Sequence, residues 1–296
     1  MIIFAGAASA LDERYCGDKS VWLQILGSGS GELDDDRGAA SYLVWLDDKA
    51  RLLVDPGPGS SVRFGEAGAK FDDLDAIVFS HLHTNHTADF PSFIAGSEQA
   101  GRDRPLPVIG PDGDGETPST VEFVERMIGP DGAYGYLASY LTFRSAGGYK
   151  VSARNVPATG RRRWSRFGTR NLRLSAMPVH HGTIPTIAWR VEIGGFVLLF
   201  AGDFSNQRNI ITDFAKDADV LVIHHSIPEA ARGAVREEFV VPSQIGRIAA
   251  ASGVRMLVLG HRGSRTLGRE SISRTALEQY YTGPVIFANE LECWGL

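Results

Sequence analysis

Three histidines crowd into residues 81–86, and their chemistry sets the question for the rest of the chain. His81, His83 and His86 follow the apolar run 76–79 and a single serine. Protonated, three neighbouring imidazoles repel one another; neutral, each offers a nitrogen lone pair, and neutral imidazole is the commonest metal ligand. A shared divalent cation therefore explains the cluster better than three satisfied core histidines do. In an extended segment His81 and His83 project to the same side, because side chains alternate with period two. All eight histidines of the chain follow strand-like apolar runs. Run 172–176 leads to His180 and His181, 220–223 to His224 and His225, and 256–259 to His261. A further run, 196–200, leads to Asp203. Set side by side in sheets, these strand ends bring imidazoles and a carboxylate to one cleft.

The elements that must position them are legible in outline. Residues 21–26 read as a first strand running into the glycine loop 27–31. That loop lacks the Gly-Lys-Ser/Thr ending of a phosphate-binding loop, so a turn with unusual backbone angles is the better reading. Residues 41–46 and 51–55 flank a polar turn and read as a hairpin whose second strand ends in Asp55-Pro-Gly57. The second half echoes this at 198–203, another apolar run into an Asp/Gly turn. Helices are expected at 119–128, with Ser119 and Glu122 as a capping box, and near 243–252 and 273–281. Residues 144–170 carry Arg144, Arg154, Arg161, Arg162, Arg163, Arg166 and Arg170. They read as a solvated loop, with a rim for phosphate or sulfate groups as the alternative.

The totals bound the rest. A chain of 296 residues with 43% hydrophobic content supports a large core, and the formal net charge of −5 gives no global basic field. On that ground nucleic acid is not expected as a partner, beyond what a local patch would allow. No stretch is long and apolar enough to be a membrane-spanning helix. Residues 1–20 form an N-terminal segment in which the small-residue run ending Ala8-Ser-Ala10 resembles the tail of a secretory signal, although no basic region precedes it. The only two cysteines, Cys16 and Cys293, are placed to staple the termini in an oxidising compartment; two buried thiols are the alternative. Together these features point to export, periplasmic or secreted, with a cytoplasmic location as the alternative.

The ordered motifs His81-Leu-His-Thr-Asn-His86, His181-Gly, Gly-Asp203 and Gly-His261, with the opening Leu26-Gly-Ser-Gly-Ser and Asp55-Pro-Gly57, resemble the metallo-beta-lactamase superfamily. Its ribonuclease Z-like and arylsulfatase-like branches are the most similar in pattern. The resemblance covers 21–296. It implies one α/β domain over those residues, a four-layer αββα sandwich. It also implies zinc, one or two ions with manganese or iron as alternatives: His81, His83 and His181 on the first, His86 and His261 on the second, and Asp203 bridging. His181 rather than His180 is the ligand because the family histidine directly precedes glycine. Position 85 departs from the family, which has aspartate where this chain has Asn85. A neutral carbonyl oxygen there weakens the second metal position, and Asn85 cannot act as a base. Asp55 is read as a hydrogen-bond acceptor for a ligand imidazole. His224 and His225 stand where ribonuclease Z-like enzymes carry a His-Glu pair; either, with His225 preferred, is a candidate proton donor, and a buried hydrogen-bonded pair is the alternative. Residues 239–244 lack the histidine those enzymes carry nearby.

The resemblance thus implies a metal-dependent hydrolase in which a metal-bound hydroxide attacks an ester-like centre, with Asn85, Asp203 and His225 as the residues nearest the chemistry. A small-molecule anionic ester, a phosphodiester or sulfate ester, is the expected substrate. The alternative is a catalytically weakened or silent metal-binding member, since Asn85 replaces the usual aspartate. Nothing beyond the shared ligand pattern points to an antibiotic-degrading lactamase.

Overall fold

Alternation with period two decides which way each strand faces. In β1 (Val21–Gly27), Val21, Leu23 and Ile25 enter one hydrophobic cluster while Trp22 and Leu26 enter another on the opposite face. The same division recurs in β11 (Val220–His224), where Val220 and Val222 share the first cluster and Leu221 and Ile223 join a third. Strands apolar on both faces must be covered on both, and this dictates a layered architecture.

The structure is a computed structural model that describes residues 16–296 except 143, 144, 146, 161 and 208, and the backbone but not the side chains of 165 and 166. Most of the signal-like segment, and Arg144, Arg161 and the Arg166 side chain, lie outside the described residues. Among those described, two seven-stranded sheets face each other. The first also contains β2 (Ser41–Leu46), β3 (Lys49–Val54), β4 (Ala76–Val78), β5 (Leu106–Pro111), β6 (Val151–Val156) and β14 (Cys293–Gly295), in the order β14-β1-β2-β3-β4-β5-β6. The second adds β7 (Trp164–Gly168), β8 (Leu172–His181), β9 (Ile184–Ile193), β10 (Phe196–Phe200), β12 (Met256–Gly260) and β13 (Val285–Phe287), in the order β13-β12-β11-β10-β9-β8-β7. The cluster shared by both sheets, centred on Tyr42, Trp189 and Phe200, lies between them. The outer face of the first sheet is covered by α1 (Ser60–Glu66), α3 (Phe90–Gly96) and α4 (Thr120–Ile128), with the short α2 (Thr84–Thr87) between α1 and α3 in the chain. The second is covered by α5 (Ile210–Phe214), α6 (Pro242–Ser252) and α7 (Glu270–Glu278). This is the expected αββα sandwich.

Several local readings hold in detail. Ser119 caps α4 with both bonds of the capping box in place. Asp47 and Asp48 turn the β2–β3 hairpin with φ of 49° and 59°, the sign that suits a right-twisted two-residue turn. In the glycine loop, Gly31 has φ of 89°, and a Cβ there would come within 2.6 Å of the Asn85 Cβ. The third expected helix is shifted: α7 begins at Glu270, and Tyr281 has left it to donate its hydroxyl to the Val254 carbonyl at 3.1 Å. The strands carrying histidines run further than their apolar runs, so His181 and His224 are strand residues themselves.

Cys16 and Cys293 form a disulfide with Cα atoms 5.5 Å apart, closing a loop of 277 residues onto β14. Protein purified without reductant is expected to show no free thiol when denatured. Cys16→Ser should lower stability by about 2–5 kcal/mol in a denaturant titration, because the bridge restricts the unfolded chain. Two titratable thiols before reduction would show that the bridge does not form.

Candidate metal centre

The centre lies where the parallel strands end, the edge at which α/β sheets gather functional side chains. β3 and β10 each occupy the fourth position of their sheet, and each leads to an aspartate, Asp55 and Asp203. β4 leads through Phe79 and Ser80 to His81, and the next turn carries His83 and His86. β8 ends at His181 and β12 leads to His261. The two halves are fastened across the sheets at this edge: Ile187 N donates to Ser80 O and Trp189 Nε1 to Phe79 O, both at 2.9 Å, and Arg262 N donates to Ser28 O at 2.9 Å. Asp55 and His261 are held in the left-handed region, with φ of 52° and 53°. Such non-glycine conformations persist only where the surroundings over-determine them.

Asp203 Oδ2 stands at the middle. It lies 3.7 Å from His81 Nε2, 3.6 Å from His86 Nε2, 3.6 Å from His181 Nε2 and 3.7 Å from His261 Nε2. These separations are too long for hydrogen bonds. They match two ligand atoms on one cation, since metal–ligand distances of about 2.0–2.2 Å in tetrahedral geometry put neighbouring ligands about 3.3–3.6 Å apart. His81 Nε2 and His83 Nδ1 are 3.0 Å apart. Two groups of potential ligands result, both containing Asp203: one with His81, His83 and His181, the other with His86, His224 and His261.

Surrounding hydrogen bonds aim the lone pairs inward. His86 Nδ1 donates to Asp55 Oδ2 at 3.0 Å, which leaves Nε2 as the acceptor atom. Ser80 Oγ donates to the same carboxylate at 2.6 Å, so at 3.0 Å His81 Nδ1 must be the donor to Ser80. His181 Nδ1 donates to the Glu238 carbonyl at 3.1 Å, and His261 Nδ1 meets Ser226 Oγ at 2.9 Å. His224 Nδ1 donates to Asp203 Oδ1 at 2.5 Å and fixes the carboxylate that the two groups share. Asp55 thus holds two of the imidazoles, one directly and one through Ser80. Asp55→Ala is expected to weaken metal binding roughly 10–100-fold in a chelator competition, as loss of such supporting partners does elsewhere. Unchanged affinity would reduce Asp55 to a turn residue.

The electrostatics prepare the same donor set. Burial pushes His81 well below the ordinary imidazole range, the neighbouring histidines adding to it against Asp203. Burial likewise lowers His83, and takes His261 down to about 3. Burial opposes ionisation of Asp203, but His261 and His224 outweigh it and hold the carboxyl well below its usual range. For His86 burial is outweighed by Asp203 and Asp55, and the metal-free ring is raised to about 9. At neutral pH the metal-free ring therefore carries a proton on Nε2, which is buried without a hydrogen-bond partner, and a cation satisfies that position by displacing the proton. Imidazoles that are neutral, or in the case of His86 give up a proton to the cation, around one ionised carboxylate fit a divalent metal.

Not every candidate residue joins the centre in its expected role. The Asn85 amide nitrogen donates to the Ser30 carbonyl at 2.9 Å and lies 3.0 Å from His261 Nε2. Because Ser30 O can only accept, the nitrogen and not the oxygen of Asn85 faces the second group. His225 is fully buried away from the cleft: its Nε2 meets Ser273 Oγ at 2.9 Å, and burial lowers its pKa to about 4. The pair therefore divides, His224 bracing Asp203 and His225 packing against Phe287. His180 turns to Ser205 Oγ at 3.1 Å. The described arginines of the 144–170 stretch do not line the cleft; Arg163, for example, pairs with Ser175 and Glu192. The cleft, about 300 Å³, is instead edged by Glu32, Glu238, Phe239 and one guanidinium, Arg265. Sequence reading missed Ser80, Ser226 and the Glu238 carbonyl. The two serines had a signal in standing next to strand ends that carry histidines; the carbonyl, far away in the chain, had none.

Residues 50–261 match the family described as the beta-lactamase superfamily domain. A ribonuclease Z of Mycobacterium bovis is 31% identical over 205 residues, covering 68% of each chain. The metallo-beta-lactamase fold protein YhfI from Bacillus subtilis superposes with a TM-score of 0.70 at 22% identity, covering 93% of this chain and 98% of its own. Human tRNase Z, short form, does so with 0.71 at 16%, covering 92% and 98%. This relationship overturns the expected partner, a small anionic ester with nucleic acid not expected, because the Mycobacterium relative is by name a ribonuclease. Net charge was the wrong guide: association with a polyanion depends on the local field at the cleft and its rim, not on the total. With the matched family domain spanning most of the chain and the His/Asp groups built at its strand ends, the protein belongs to the beta-lactamase superfamily, in its ribonuclease Z-like branch, and is a metal-dependent hydrolase.

Proposed function

We propose that the protein hydrolyses phosphodiester bonds in RNA, with zinc as its resident metal. The observation that carries this reading is the placement of Asp203 Oδ2 at 3.6–3.7 Å from four imidazole nitrogens on the floor of a cleft edged by Arg265. His81, His83 and His181 would hold the first ion, His86 and His261 the second, and Asp203 both. When bound, the metal supplies Lewis acidity toward the phosphoryl oxygens and lowers the pKa of water. The chain's own groups do the rest. Arg265 is placed to take a non-bridging phosphate oxygen, for which a guanidinium fork is well shaped. Asp203, ionised and braced by His224, would supply the negative charge that balances the cations. A sulfate ester gains no support from the relatives.

Neither imidazole of the 224–225 pair lines the cleft, and 239–244 contains no histidine. Catalysis then lacks an imidazole proton donor, a contribution of about 10²–10⁴ in rate elsewhere. Turnover is expected for both a labelled structured RNA and bis(p-nitrophenyl) phosphate after zinc loading, faster for the activated diester, and lost with chelator. Failure to cleave either would refute the proposal. The Cys16–Cys293 bridge supports an oxidising compartment, periplasmic or secreted, as the place of action.

A further inference from the structure

A second polar cavity of about 550 Å³ opens behind the segment that walls the cleft. That segment has two sides. Ser226, Glu238 and Phe239 face the histidines, whereas Glu229, Arg232, Arg236 and Val241 line the cavity together with Arg247 of α6. The carbonyls of Glu237 and Glu238, directly after Arg236, hold His180 and His181. One short stretch of backbone thus separates the cavity from the metal ligands.

Three arginines, Arg232, Arg236 and Arg247, line this one cavity. Arg63, Arg255, Arg262 and Arg274 each hold a carboxylate. Arg232, Arg236 and Arg247 have no ion-pair partner among the described residues. Arg232 donates to the carbonyls of Glu229 and Ala231, and Arg247 lies 4.4 Å over the Tyr280 ring with a bond to its hydroxyl. The one carboxylate of the lining, Glu229, is engaged by Ser243 N and Oγ, both at 2.8 Å. Three guanidiniums without carboxylate partners thus line one cavity in a chain of net charge −5, and guanidinium forks are suited to tetrahedral anions.

We propose that this cavity is a second phosphate subsite, in which Arg232, Arg236 and Arg247 take a backbone phosphate of the RNA strand whose scissile phosphodiester lies in the histidine cleft. It rests on the RNA reading above and adds to it a contact that an RNA strand makes and a single small ester cannot. The Arg247–Tyr280 pair adds a stacked cation beside a half-exposed ring, a surface that nucleobases favour.

The test uses zinc-loaded full-length protein and a short, fluorescein-labelled phosphorothioate RNA, charged like RNA but slow to hydrolyse. Arg232→Gln/Arg236→Gln is expected to weaken binding roughly tenfold or more and to flatten the dependence of log K on log salt by about 1–1.5, since each single-strand phosphate contact contributes about 0.7 to that slope. The ratio of kcat/KM for RNA to that for bis(p-nitrophenyl) phosphate should fall correspondingly. Arg236→Glu alone should weaken binding further than Arg236→Gln, a gradation that mere loss of packing would not give. Equal affinity and slope in wild type and variant, or no oligonucleotide binding by either, overturns the subsite. Wild-type turnover of the small diester reports on the hydrolytic reading separately: its absence, with arginine-dependent binding intact, defeats hydrolysis and leaves the subsite standing.

Discussion

Asp203→Asn protein, purified in parallel with wild type, is expected to lose most of its bound metal and at least about a thousandfold in turnover, because several kcal/mol of charge stabilisation depend on the metal and each 1.36 kcal/mol is a factor of ten. The change keeps the shape of the side chain, and His224 Nδ1 still finds Oδ1 as its acceptor. What disappears is the one negative charge to which four imidazole nitrogens turn. His81, His83, His86, His181 and His261 are neutral donors when they bind a cation, so without Asp203 the dications would sit among uncharged ligands in a buried site. Desolvation of an ion costs several kcal/mol there unless charge compensates it. Elemental analysis reads the metal directly, and circular dichroism of the metal-free variant checks that the sheets are intact. A variant that retained both metal and turnover would show that the two His groups are not joined by a shared carboxylate.

Asn85→Asp should move the protein the other way. Wild type is expected to carry close to one tightly held metal per chain, in the His81, His83 and His181 group, since the Asn85 nitrogen presents a donor where a ligand oxygen is needed. The carboxylate forfeits the bond to the Ser30 carbonyl, a loss of about 1–3 kcal/mol. Against this, it adds a full negative charge within ligand distance of the second cation, an interaction larger than that loss even at an effective dielectric constant of about 20. Metal content should therefore rise toward about two per chain, and turnover about tenfold or more, with a binuclear clamp on both oxygens of the displacement. If wild type already holds two ions, or the aspartate gains neither metal nor rate, Asn85 is no weakness in the second position.

How much of this was legible beforehand follows from the range of each interaction. Local rules sufficed for the capping box at Ser119 and Glu122, the Asp47-Asp48 turn and the faces of β1, because those depend on residues a few positions apart. The candidate ligand histidines were legible because His81, His83 and His86 lie within six residues, and because each remaining candidate ends or follows an apolar strand. The limits of α7 and the reach of β8 were misjudged, since packing of Tyr281 and pairing of His181 with Ile184 override local pattern.

What the sequence determined by itself was therefore the kind of chemistry, in the candidate ligand types and their order along the chain, and, through the motifs that carry the resemblance, the layered fold. Tertiary structure alone decided how those residues are used. Only the meeting of β10 and β11 makes His224, not His225, the partner of Asp203. Only the approach of the glycine loop brings the Ser30 carbonyl to Asn85 and turns its nitrogen inward. Carbonyls and hydroxyls become ligands' partners through close approach between distant segments, and a hydrogen bond lost with 0.5 Å of extra separation leaves no trace in residue identity.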